Sequence, residues 1–75
     1  MLRHTVLLFG PLRDRFKASS ITVELAAGAV LGQLLSELDI DAEHTKAAVD
    51  GNIVDVDTVL NQPAEIALLP PVSGG

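Results

Sequence analysis

The side chains that usually carry catalysis are few and scattered in this sequence. The two histidines, His4 and His44, lie far apart, and there is no cysteine. A protein zinc site draws on closely spaced imidazoles and thiolates. No metal site is expected, and both histidines read as exposed or half-buried structural residues. Asp55 and Asp57 stand two apart and would share one strand face. An acid/base pair, however, needs a pocket that gives its two carboxyls contrasting environments, and a polar hairpin accounts for both. Asp50-Gly51-Asn52 leaves the remaining ligand positions of a calcium loop unfilled. Ser19, Ser20, Ser36 and Ser73 have no base at a useful spacing, and the glycines form no phosphate-binding fingerprint. The body of the chain therefore carries no catalytic constellation of its own.

One stretch is different. Residues 70–75 read Pro70-Pro71-Val72-Ser73-Gly74-Gly75. Two prolines favour an extended backbone with little entropy left to lose, and the stretch reaches roughly 20 Å at about 3.3 Å per residue. That length carries its end off a small domain and into another protein. Gly74 and Gly75 have no Cβ, so they pass a narrow channel and let a reactive centre approach closely. The α-carboxylate of Gly75 is then the one chemically distinctive group on offer. A carboxylate resists nucleophiles until it is activated. Transfer of AMP from ATP makes it a mixed anhydride, and an unhindered glycine acyl carbon suits that step.

The elements that must hold this tail follow from hydrophobic periodicity. Residues 2–9, LRHTVLLF, predict a strand closed by Gly10-Pro11. Its continuous apolar run Val6–Phe9 predicts cover on both faces. Pro11 fits the first turn of a short helix, LRDRFK, whose Leu12 and Phe16 share a face. Ile21, Val23 and Leu25 alternate with Thr22 and Glu24 as a half-buried strand, expected antiparallel to the first. In AVLGQLLSELDI, Val30, Leu31, Leu34, Leu35 and Leu38 form one helical stripe. Its start lacks a capping Ser, Thr or Asp, and Asp39 and Asp41 sit at the unfavourable end of its dipole. The leucines, not the ends, are expected to hold it. Lys46–Val49 and Ile53-Val54 flank the Asp50-Gly51 turn signal. Residues 57–60 read as a turn or a single helical turn with Leu60 inward. Glu65–Leu69 is the last strand, and Pro70-Pro71 stops the sheet.

This order predicts an α+β fold of the β-grasp type. One main helix packs across one face of a mixed sheet, and the last strand returns to the centre beside the first. The division expected is a β-grasp domain over 1–69 and an extended reactive tail over 70–75. At 75 residues such a domain buries only about 60% of its unfolded surface. With 48% hydrophobic residues, some apolar surface stays uncovered, which points to a protein partner. A net charge of −5 argues against nucleic acid. No stretch is apolar enough to span a membrane, and the start lacks the features of a signal peptide. A cytoplasmic location is expected.

Taken together, the residues are similar to a known family: the small subunit of molybdopterin synthase (MoaD-like), a ubiquitin-like sulfur carrier. Val6-Leu7-Leu8-Phe9-Gly10-Pro11-Leu12-Arg13-Asp14 resembles its first strand and Phe-Ala-x-Leu-Arg-Glu segment. Ala48-Val49-Asp50-Gly51 resembles its Ala-Val-Asn-Gly turn, and Asp57-Thr58-Val59-Leu60 its Asp-x-x-Leu. Residues 66–75, IALLPPVSGG, match its closing motif almost letter for letter. Gln62-Pro63-Ala64-Glu65 departs from the usual Gly-Asp-Glu, and Pro63 cannot take the positive φ a glycine would.

The resemblance implies a non-catalytic, sulfur-carrying subunit with ubiquitin-like fold. An E1-like adenylating enzyme, using ATP, would activate Gly75, and a sulfur donor system would convert it to a thiocarboxylate. The large catalytic subunit of the synthase, in a heterotetramer, would receive the tail (Pro70, Pro71, Val72, Ser73 and Gly74) and pass sulfur to the pterin precursor of molybdenum cofactor. Phe9, Ile53, Leu69 and Arg13 would meet that partner, and no cofactor would be bound by the chain itself. Sulfur carriers for thiamine or for tRNA thiolation, ubiquitin-like modifiers of lysines, and non-covalent interaction modules remain the alternatives.

Overall fold

Alternation along the strands builds one two-faced sheet in the computed structural model, which describes residues 1–69. Strand β1 (Leu2–Leu8) buries His4, Val6 and Leu8 on one face. Helix α1 (Pro11–Phe16) begins with its proline in the first turn and ends at Lys17 in the left-handed conformation. Strand β2 (Ser20–Leu25) runs antiparallel to β1, with Val6 opposite Ile21 and Leu2 opposite Leu25. A two-residue strand β3 (Ala29–Val30) leads directly into helix α2 (Leu31–Glu37). After a 3-10 turn (Ala42–His44), β4 (Lys46–Val49) and β5 (Asn52–Val54) form a hairpin. Strand β6 (Val59–Leu60) pairs with β3, and β7 (Glu65–Leu69) completes the main sheet.

The sheet order is β2-β1-β7-β4-β5, with β7 parallel to β1 and antiparallel to β4. Leu31, Leu34 and Leu35 of α2 lie across its inner face and are buried with Val6, Leu8, Ile66 and Leu68. This is the α+β, β-grasp arrangement expected, with β7 in the middle of the sheet. The expected tail, Pro70, Pro71, Val72, Ser73, Gly74 and Gly75, lies outside the described residues.

Several expectations need correcting. Residues 57–60 are not a helical turn. Val59 and Leu60 are a strand, because Ala29 and Val30 offer them a backbone ladder. The same segment caps α2. The Leu31 and Gly32 N–H groups donate to the carbonyls of Thr58 and Val56, both at 2.8 Å. A carbonyl can fill the role of a capping side chain, since the first N–H groups of a helix need only an acceptor. A Cβ on Gly32 would stand 3.4 Å from Val56, at the near limit of ordinary van der Waals contact.

The far end of α2 is also held. The Ile40 N–H bonds Leu35 and the Asp39 N–H bonds Ser36, while Asp39 sits at φ +56°. That is the Schellman pattern. Arg15 of α1 adds two hydrogen bonds, to the carbonyls of Asp39 (2.9 Å) and Leu38 (3.0 Å). Its positive charge offsets the acids at the negative end of the helix dipole. So the ends of α2 are held as well as its stripe.

His4 is fully buried, because it shares the inward parity of Val6 and Leu8. Its Nδ1 accepts the Ala64 N–H at 3.3 Å, which fixes Nε2 as the ring nitrogen that bears hydrogen. Asp55 and Asp57 do not share a strand face; both follow the end of β5 in a turn. Asp50 and Gly51 do form the expected hairpin turn, with φ +50° and +91°, the two positive values of a type I′ turn.

Candidate functional site

The outer face of the sheet, away from α2, is apolar along one continuous row. Ile53 of β5 lies opposite Ala48 of β4, Ala48 opposite Ala67 of β7, and Ala67 opposite Leu7 of β1. The row therefore crosses four neighbouring strands. Leu69 follows Ala67 on the same face of β7, and Phe9 follows Leu7 just past the end of β1. None of these six side chains belongs to the core cluster, although Ala48 is itself buried among its neighbours. Phe9 is 44% exposed and Ile53 61% exposed. Apolar strand residues facing water in register form a surface that gains by being covered.

This geometry corrects the reading of Val6–Phe9 as a strand covered on both faces. Val6 and Leu8 face the core, but Leu7 is half-buried and Phe9 exposed on a face that the described residues leave uncovered. Of the four expected interface residues, Phe9, Ile53 and Leu69 come together around this row. Leu69 is half-buried and pairs across the ladder with Lys46. Arg13 is exposed on α1, beyond Phe9, and lines an open depression with Asp14, Lys17, Ala18 and Ser19. Among the described residues its guanidinium makes no ion pair. Leu7, Ala48 and Ala67 were missed by sequence reasoning. Strand parity was the available signal: each lies an even number of positions from an expected face residue or opposite one.

The parallel pairing of β1 and β7 decides where the C-terminal segment starts. Leu8 lies opposite Leu68, so Phe9 and Leu69 follow at the same end of the sheet. Leu69, the last described residue, thus stands at the edge of the apolar face. The β4–β5 hairpin, which brings Ile53 and Ala48 to that face, is tied to β7 by Asp50. Its N–H donates to the Glu65 carbonyl (2.9 Å), and its carboxylate accepts the Glu65 N–H (3.1 Å).

The two histidines do not meet. His44 instead sits with Asp41 and Glu43 in the 3-10 turn, all exposed, with ligating atoms within 4.8 Å of one another. The imidazole of His44 hydrogen-bonds the Asp41 carboxylate. That bond first, and the Glu43 N–H second, hold the Asp41 carboxyl below its ordinary value of 3.8. Ala42 of this turn and Ile53 of the row line one open depression, together with Thr45 and Lys46. Among the described residues, no helix is long and apolar enough to cross a membrane.

Comparison with known proteins matches this arrangement. The model of the ThiS family matches residues 6–75. No curated protein matches the chain in sequence. Among solved structures, the chain is similar to the small archaeal modifier protein 1 of Methanosarcina acetivorans, at 25% identity and TM-score 0.76, over 100% of this chain and 98% of that one. It is similar to subunit 1 in the complex of subunits 1 and 2 of the Helicobacter pylori molybdopterin-converting factor, at 25% identity and TM-score 0.67, over 99% and 100%. A molybdopterin converting factor subunit 1 assigned in Pyrococcus furiosus superposes with TM-score 0.82 at 22% identity, over 96% and 100%.

Proposed function

The chain belongs to the ThiS family, and on that premise we propose that it is the sulfur-carrying small subunit of a molybdopterin synthase. The observation that carries the reading is the apolar outer row, outside the core cluster, with Leu69 at its border and Gly74-Gly75 following after only four intervening residues of the chain. A carrier needs both parts: a surface to be held by and a group to be loaded.

In this reading the Gly75 carboxylate attacks the α-phosphate of ATP on an E1-like partner and releases pyrophosphate. Sulfide-level sulfur from a sulfur donor system then attacks the acyl carbon, the bond to AMP breaks, and AMP departs to leave a thiocarboxylate. Phe9, Ile53, Leu69 and Arg13 hold the domain against the large catalytic subunit of the synthase. Pro70, Pro71, Val72, Ser73 and Gly74 span the distance to its active site, where sulfur passes to the pterin precursor. The chain binds no cofactor itself; ATP belongs to the activating enzyme. The assembly is a heterotetramer of two small and two large subunits, and its place is the cytoplasm. The Helicobacter pylori complex of subunits 1 and 2 supports a large-subunit partner, and the closing motif Pro-Pro-Val-Ser-Gly-Gly supports the molybdopterin branch over thiamine or tRNA thiolation.

A second reading rests on the likeness to a small archaeal modifier protein: the activated Gly75 acyl group is passed to lysines of other proteins. The experiment that separates the two incubates the protein with ATP, an activating enzyme and a sulfur source, and weighs it intact. The carrier reading predicts one oxygen-to-sulfur exchange at Gly75, lost when Gly75 is deleted. Isopeptide-linked adducts without that exchange would favour the modifier.

A further inference from the structure

Strand β2 is an edge strand without the features that keep natural edges apart. Among the described residues its one neighbour in the sheet is β1. The Leu8 N–H donates to the Ser19 carbonyl at 2.9 Å, and this sets the phase of the ladder. In an antiparallel pair, residues that exchange hydrogen bonds alternate with residues that do not. Val6 with Ile21, His4 with Val23 and Leu2 with Leu25 therefore bond across the ladder. Ser20, Thr22 and Glu24 point their N–H and C=O groups outward. The Thr5 N–H bonds in the opposite direction, to the Ala64 carbonyl, as this phase requires.

Edges are usually blunted by shortness, lysine, proline or a bulge. The opposite edge, β5, is three residues long. β2 has six residues, SITVEL, in unbroken register, with no lysine, proline or glycine. Its single charge, Glu24, is already paired with Arg3 at 3.5 Å.

We propose that β2 is a self-complementary edge that pairs with β2 of a second copy of this chain, antiparallel about a two-fold axis at Thr22. Opposed residues in a sheet share a face, and a pairing centred on Thr22 respects that rule throughout. Thr22 then faces Thr22 of the second copy, Ser20 faces its Glu24, and Ile21 faces its Val23. Every outward N–H and C=O of Ser20, Thr22 and Glu24 gains a partner. No like charges are opposed, and half-buried Ile21 and Val23 gain aliphatic neighbours. The net charge of −5 resists association at long range, so the dimer is weak and salt-assisted. The axis stands perpendicular to the sheet. Both apolar outer faces therefore lie on one side of the joined sheet, and the two Leu69 ends point in opposite directions. The dimer leaves the apolar row and both Leu69 ends accessible.

Sedimentation of the full chain across a concentration series, at low and high salt, tests this. The expected result is a reversible monomer–dimer equilibrium. Thr22→Lys and Thr22→Glu, each confirmed folded by circular dichroism, are monomeric alone, because residue 22 faces itself. Mixed in equal amounts they recover the dimer. A monomer at every concentration and salt overturns the proposal. So does a dimer that Thr22→Lys leaves intact, or one that Ile53→Asp dissolves instead.

Discussion

The two faces of the five-stranded sheet are built from the same residue types and put to different uses. On the inner face Val6, Leu8, Ile66 and Leu68 meet the leucines of α2 and vanish from solvent. On the outer face Leu7, Ala67, Leu69 and Ile53 alternate with them along the same strands, yet none joins the core. The difference lies in what stands opposite. Helix α2 lies across one face of the sheet, and the described residues leave the apolar row on the other uncovered. The uncovered face costs the folded domain little, because exposed apolar area is nearly as exposed in the unfolded chain. It keeps its full hydrophobic gain for a partner.

The sharpest way to break this comparison is to empty the covered face. Leu34→Ala removes a side chain with no solvent exposure and is expected to cost about 2–5 kcal/mol, read as a lowered urea midpoint. A smaller effect comes from Asp50→Ala, which frees the Glu65 N–H and puts a Cβ-bearing residue without a carboxylate at φ +50°. About 1 kcal/mol is expected, with Asp50→Asn nearly neutral, since asparagine keeps both the acceptor and the tolerance of that conformation. Thermal unfolding of the two variants side by side checks it.

On the uncovered face the order of effects reverses. Ile53→Ser is expected to change stability by less than about 0.5 kcal/mol while weakening the partner complex about tenfold or more. Equal losses in folding and binding would mean that Ile53 belongs to the core after all. The smallest effect concerns a site on neither face. The Asp41 carboxyl is held below 3.8, so its contribution is complete above the unfolded value and fades as pH falls through the lower folded value. Asp41→Asn should remove that acid dependence and lower stability slightly near neutral pH, where the contribution is complete; urea midpoints measured from neutral pH down into acid check it.

The main elements were legible because their signals are local. Ile21, Val23 and Leu25 alternate, the leucines of α2 repeat at helical spacing, and Asp50-Gly51 announces its turn. What stayed hidden depends on distant backbone. The cap of α2 comes from the carbonyls of Val56 and Thr58, which leave no side-chain signature at either end. For the same reason Ala29 and Val30 read as helix, since they extend the apolar stripe, and Val59-Leu60 reads as a turn. The burial of His4 followed from parity alone, outweighed by the habit of histidine to stay near water. Phe9, Ile53 and Leu69 were found by resemblance; strand parity could have added their neighbours Leu7 and Ala67, while Ala48 needed the register of the β4–β5 ladder. Alternation can tell two faces apart but not whether anything covers them, and on that point the run Val6–Phe9 misled.

The most direct test of the account is the intact mass of this protein isolated from its own cells while molybdenum cofactor is being made. The account predicts a population in which one carboxylate oxygen of Gly75 is replaced by sulfur, absent when Gly75 is removed. A protein found only with an unmodified carboxylate, or only joined through Gly75 to lysines of other proteins, would contradict it.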